Sequence, residues 1–155
     1  MKIKSVTANT RKKTIEIDTP KGIFGLPFAK LRVRPTTHNR LATIYVDPEF
    51  GRSAVTYRLA SGQEDSVHID AFLDYNRDPE FLRKITVHKL SLEAANAMKA
   101  SGLSKHEVVR RLKTSPSQLY RLLDPTNYRK SIDEMLRLLS VLGYKVEWSV
   151  VKQAA

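Results

Sequence analysis

Four neighbouring side chains, Ser117, Gln118, Tyr120 and Arg121, carry the hydrogen-bonding groups best suited to recognising another molecule. They lie in the stretch Ser104–Leu123, SKHEVVRRLKTSPSQLYRLL. The spacing predicts two short helices joined by a tight turn. Ser104 can cap the first, and Glu107, three residues on, allows a capping box. Ser115 can cap the second, with Pro116 at its first position and Gln118 completing another box. Val108, Val109 and Leu112 mark one inner face; Leu119, Leu122 and Leu123 mark the other. That arrangement turns Ser117, Gln118, Tyr120 and Arg121 outward. Two capped helices with a polar outer face on the second suit a helix-turn-helix that reads DNA.

Catalytic and metal chemistry find little support. His38, His68, His88 and His106 are far apart and share no metal-ligand spacing. His68 and Asp70 would share a strand face, where a surface hydrogen bond is the expected outcome. No serine has nucleophile-elbow context, and no glycine-rich loop follows a strand. Asp74, Asn76 and Asp78 match the opening of a calcium loop. Pro79 stands where that loop needs Gly, and Ile85 where it needs its last acidic ligand. No enzyme activity, cofactor or metal is expected.

The charge is consistent with a polyanionic partner. Lys and Arg number 27 against 16 Asp and Glu. Residues 1–87 hold 15 basic and 10 acidic side chains, and residues 88–155 hold 12 and 6, so both halves are positive. The excess is densest over 105–130, with Lys105, Arg110, Arg111, Lys113, Arg121, Arg129 and Lys130 against Glu107 and Asp124. Such density favours phosphate contacts and counterion release. No cysteine is present. No apolar run approaches the roughly 20 residues of a membrane span, and the first residues lack the apolar core of a secretory signal. A cytoplasmic protein, nucleoid-associated when bound to DNA, is expected, with no membrane partner.

The elements that position these side chains divide the chain in two. Residues 2–8, 13–18, 41–46, 54–59 and 67–69 read as about five short strands, mainly antiparallel. Gly22–Leu31 reads as irregular or edge structure, because Pro27 cannot donate to a ladder. Asp78 caps a helix from Pro79 to about Lys89, and Ser91 caps another over Leu92–Ser101, ended by Gly102. Ser131 and Glu134 form a further capping box ahead of Ile132–Leu142, whose Ile132, Met135, Leu136, Leu139 and Leu142 make one stripe. In Tyr144–Val151, Val146, Trp148 and Val150 alternate with Lys145, Glu147 and Ser149. This predicts a strand needing a partner, either the N-terminal sheet or a second subunit. The expected fold class is α+β: a small antiparallel β domain over 1–87, then a helical helix-turn-helix bundle with a terminal strand over 88–155.

SKHEVVRRLKTSPSQLYRLLD resembles the helix-turn-helix core of the Cro/CI (XRE) repressors and of antitoxins sharing their fold. The family usually has a small residue at Val109 and Gly at Lys113. The segment LLSVLGY with its following strand resembles antitoxins in which that strand helps pair subunits. The whole chain, including PTTHNRLATIYVDPEFG, also resembles small bacterial two-domain proteins with an uncharacterised β module. The resemblance implies Ser117, Gln118 and Arg121 at base edges, Gln for adenine and Arg for guanine. It implies Lys105, Ser115, Pro116, Tyr128, Arg129 and Lys130 at phosphates. It further implies double-stranded DNA as partner and a homodimer reaching two half-sites. An antitoxin-like protein, binding a partner protein through its N-terminal module and autoregulating its operon, is the alternative. Arg32, Arg34, Arg40, Arg52 and Arg58 also permit an RNA-binding β module, although stacking aromatics are not evident there.

Overall fold

The computed structural model describes residues 1–152. It is α+β, with two three-stranded antiparallel sheets and five helices among the described residues. The chain falls into two compact units that divide between Phe81 and Leu82, six residues before the expected boundary at 87.

The first unit starts as a meander of β1 (Ser5–Asn9), β2 (Thr14–Thr19) and β3 (Gly22–Pro27). Ile15 and Ile17 are fully buried while Thr14, Glu16 and Asp18 are not, as the alternation predicts. The expected irregular or edge segment is an edge strand. Pro27 ends β3 opposite Thr14, where the ladder stops and a missing N–H costs nothing. A single 3-10 turn, Phe28–Lys30, follows. The second meander has β4 (Leu41–Asp47), β5 (Ala54–Leu59) and β6 (Glu64–His68). β5 is central and buried on both faces apart from Arg58. Its Tyr57 is fully buried, and the phenol hydroxyl donates to the Val33 carbonyl at 2.6 Å. Burial pushes that hydroxyl's pKa up to about 12.

There are thus six strands rather than five. A helix, α1 (Ile69–Tyr75), also stands where sequence reading ended a strand at Ile69 and assigned no element before Asp78. Its signal is Ile69, Phe72 and Leu73, all buried at helical spacing. The His68 ring caps it, with Nδ1 accepting from the Asp70 N–H at 3.3 Å. Asn76 ends α1, and its side-chain amide donates to Gly25 O at 2.8 Å. This satisfies one carbonyl of the edge strand β3. The core of this unit joins Ile3, Ile15, Ile17, Leu26, Val55, Tyr57, Leu59 and Phe72.

α2 runs unbroken from Pro79 to Ser101, where two helices were expected. Asp78 caps its start as expected, accepting the Phe81 N–H at 2.9 Å. Ser91 is not a cap. It is fully buried, and its hydroxyl donates to Val87 O at 2.7 Å, one turn back. That bond satisfies the hydroxyl without interrupting the helix. Gly102, at φ +69°, then follows the last turn.

Beyond it lie α3 (Lys105–Leu112), α4 (Pro116–Leu123) and α5 (Ile132–Val141). They share a core of Ala94, Ala97, Val108, Leu119, Leu122, Met135, Leu138, Leu139 and Leu142. Ser131 and Glu134 make the full capping box of α5. The expected terminal strand is not formed. Tyr144–Lys152 joins neither sheet, Trp148 is 61 % exposed and Val150 95 %. The segment has the alternation of a strand without the neighbour whose backbone would complete a ladder. No described helix is long and apolar enough to cross a membrane.

If Ser91 capped a helix, Ser91→Ala would cost about 0.5–2 kcal/mol. Inside a continuous α2, alanine is the better helix former and no backbone group is orphaned. Urea denaturation is therefore expected to show Ser91→Ala at or above the parent's stability.

Candidate nucleic-acid interface

The outward surface of α3 and α4 is built by its caps. The Ser104 hydroxyl accepts from the Glu107 N–H at 3.1 Å, leaving the first N–H groups of α3 partly satisfied. The expected return bond from Glu107 is not made. Its carboxylate accepts from Arg110 Nη2 at 2.6 Å and Arg111 Nε at 2.7 Å. These two guanidinium groups hold it down to a pKa of about 2.

The turn follows from Lys113, at φ +54°, ψ +50°. Its N–H donates to Arg110 O at 3.2 Å, and the Thr114 N–H donates to Val109 O at 3.1 Å. Those two bonds are a Schellman motif, which closes the last turn of α3. Lysine therefore takes the left-handed shape that glycine takes more cheaply. Ser115 then caps α4, accepting from the Gln118 N–H at 3.3 Å, with Pro116 first in the helix.

α4 buries Leu119 and Leu122 and exposes Ser117, Gln118 and Tyr120. Tyr120 is 57 % exposed, and Lys105 Nζ lies over its ring at 4.7 Å. Sequence reading turned Tyr120 outward but gave it no contact to DNA. Its one outward signal was its place among Ser117, Gln118 and Arg121 on the polar arc of the helix. Lys113, counted in the basic stretch but given no contact to DNA, is an exposed cation at the turn.

Arg121 is placed otherwise than expected. Its guanidinium is 23 % exposed and is consumed within the unit. Nε donates to Gln118 Oε1 at 2.8 Å, Nη2 to Glu134 Oε1 at 2.7 Å, and Nη1 to the Arg129 carbonyl. It links α4, the following loop and the cap of α5, so no free fork remains for guanine. The Gln118 amide oxygen is engaged by this bond, and its amide nitrogen has no partner among the described residues.

Lys130 is not at the surface. It is 5 % exposed, and Nζ donates to the carbonyls of Arg121, Leu122 and Asp124 at 3.2, 2.8 and 2.7 Å. Its three donors satisfy the orphan carbonyls at the end of α4, where a cation also complements the helix dipole. Burial pushes its pKa down, partly offset by Asp124. The phosphate role implied for Lys130 is therefore replaced by a structural one.

Of the remaining phosphate set, Arg129 is exposed and its guanidinium has no ion pair among the described residues. Tyr128 is 38 % exposed, with Lys84 Nζ 6.0 Å from its ring centre. Ser115 and Pro116 sit at the start of α4, Pro116 exposed and Ser115 half-buried.

The Arg121–Glu134 contact is sensitive to acid. Glu134 is held at a pKa of about 2, first by Arg121 and then by the Ser131 N–H, against an ordinary value of 4.5. Its contribution is complete above the ordinary value and is lost as pH falls through about 2. Glu134→Gln is expected to lower stability at pH 7 by about 0.5–1 kcal/mol, since the pair is partly exposed. In urea titrations across pH, the gap from the parent should close between about 4.5 and 2. Lys130→Ala is expected to lower stability by about 1–3 kcal/mol, because the Arg121 and Leu122 carbonyls lose the Lys130 donor and Asp124 O keeps only the Asn127 N–H. A residue serving only phosphate would leave the urea midpoint unchanged. No protein-family model matches the chain, and no curated protein or solved structure does either.

Proposed function

We propose that this protein is a sequence-specific DNA-binding transcriptional regulator that works in the cytoplasm and lays α4 in the major groove. One observation carries the reading. The start of α4 exposes Ser117, Gln118 and Tyr120 together while its apolar face is buried. Lys105, Lys113 and Arg129 have no ion pairs among the described residues. Ser117 and Gln118 are the base-reading residues, and the Gln118 amide suits adenine. Lys105, Lys113 and Arg129 meet phosphates, with the backbone N–H groups at the Ser115–Pro116 end and the Tyr128 hydroxyl. Arg121 is a positioning residue. It fixes the Gln118 amide and ties α4 to the cap of α5.

The tail favours a dimer. Tyr144–Val151 alternates in polarity, and Trp148, Val150 and Val151 are exposed. The same segment of a second subunit would supply the missing ladder. Two α4 helices would then reach half-sites about 34 Å apart. An antitoxin-like protein is the second reading. It draws on Ile23, 71 % exposed on the edge strand β3, and Phe50, 52 % exposed, as a surface for a partner protein.

Genomic fragments selected by the purified protein supply the test, with anisotropy measured against scrambled duplexes. Gln118→Ala is expected to lose about 1–3 kcal/mol of discrimination at one base pair. Arg129→Ala should weaken all sequences alike and reduce the salt slope by about 1. Two chains should bind each selected duplex. Equal affinity for selected and scrambled DNA would overturn the proposal.

A further inference from the structure

The first unit holds a cavity of about 350 Å³ that the DNA reading does not use. Thr10 and Lys13 line it from the β1–β2 turn, and Thr36, Thr37 and Arg40 from the segment before β4. The nearly buried Phe28 adds apolar surface. No acidic side chain lines it, and neither cation has an ion pair among the described residues.

Both walls are held by hydrogen bonds that leave those cations unspent. The Phe28 N–H donates to Lys13 O at 2.8 Å, and the Ala60 N–H donates to Arg40 O at 2.8 Å. Thr36 and Asn39 exchange backbone bonds at 2.9 and 3.3 Å. The Asn39 amide nitrogen donates to Ser61 Oγ at 2.9 Å, and its oxygen accepts the Ser61 N–H at 2.9 Å. The backbone beside Arg40 is thereby fixed before any ligand arrives.

The backbone of Lys13 is set by the turn it sits in. Four non-glycine residues take positive φ, Lys13, Arg52, Arg77 and Lys113. Each serves a turn or a helix end. Arg52 donates to the carbonyls of Ile3 and Lys4 at 3.2 and 2.7 Å. Arg77 and Lys113 close helix ends, where a cation complements the dipole. Lys13, at φ +52°, completes the turn between Asn9 of β1 and Thr14 of β2, and its ammonium has no partner among the described residues. Glycine would take that left-handed backbone without strain.

We propose that this cavity binds a compact phosphorylated small molecule, with Lys13 and Arg40 gripping the phosphate from facing walls. The threonine hydroxyls donate to its remaining oxygens, and Phe28 meets its apolar body. A phosphate monoester has three oxygens and up to two charges, which suits two cations and several hydroxyls better than a carboxylate. The volume lies at the small end for ligand sites and suits a small molecule rather than a polymer chain.

The test uses the whole chain, ¹⁵N-labelled, titrated with phenyl phosphate. Saturable amide shifts confined to Lys13, Thr36, Thr37, Arg40 and their neighbours are expected at millimolar concentration. Lys13→Gly and Arg40→Ala should each weaken binding about tenfold. Glycine suits the left-handed position and alanine replaces an exposed side chain, so both variants should fold. Lys89→Ala, in the other unit, should bind like the parent. Shifts scattered over basic residues, or equal weakening by Lys89→Ala, would reduce the effect to general charge and overturn the proposal. So would equal binding of phenylacetate, stronger localised binding of a short RNA, or no saturation by about 10 mM.

Discussion

The helical unit depends on how the end of α4 is satisfied. A helix ending inside a protein leaves carbonyls that water cannot reach. Here one ammonium, that of Lys130, takes three of them. Beside it the Arg121 guanidinium takes the Arg129 carbonyl and the Glu134 carboxylate. Glu134 in turn accepts the Ser131 N–H at 2.7 Å at the start of α5. The end of one helix and the beginning of the next thus share one polar cluster. The loop between them is held by charge-assisted hydrogen bonds rather than by apolar contacts.

That cluster also fixes what α4 can present. With its C-terminal half committed to Lys130, Arg121 and the buried leucines, its outward chemistry is confined to the first turn and to Tyr120. Arg121 still bears on that surface, because its Nε holds the Gln118 side chain. A Gln held by a neighbour loses less rotamer freedom on meeting a partner than a free one. The Schellman closure at Lys113 sets the angle from the other side. Lysine in place of glycine changes the cost of the turn and adds a cation, while the turn keeps the conformation that glycine favours.

Local chemistry was readable in the sequence, and long-range chemistry was not. Ser104, Ser115 and Ser131 each cap where they were expected to, because a cap needs only a side chain and the N–H groups two or three residues on. The alternation of β2 and the β-branched and aromatic content of β4 and β5 were equally visible. Ser91 misled because a serine before an apolar run has two uses. Only tertiary burial, absent from the string of letters, selects the bond to Val87 over the cap. α1 was missed because seven residues give two turns of period, too few to outweigh the neighbouring strand signal. Arg121 and Lys130 were misplaced for one reason. A basic residue beside a recognition segment looks alike whether it faces phosphate or a buried carbonyl, and their partners include Glu134 and a helix end that only the fold brings near.

The same distinction corrects the electrostatics. Seven basic residues over 105–130 suggest a strong field. Arg110 and Arg111 share Glu107, Arg121 is paired with Glu134, and Lys130 is buried against carbonyls. Lys105, Lys113 and Arg129 remain without ion pairs among the described residues. For a duplex, each neutralised phosphate contributes about 0.9 to the logarithmic salt slope. On the proposed DNA reading, each chain would bring a slope nearer three than seven from this region. Backbone N–H groups at the start of α4 add orientation without adding to that count. On that reading non-specific attraction would be correspondingly weak, and a larger share of any discrimination would fall on Gln118 and Ser117.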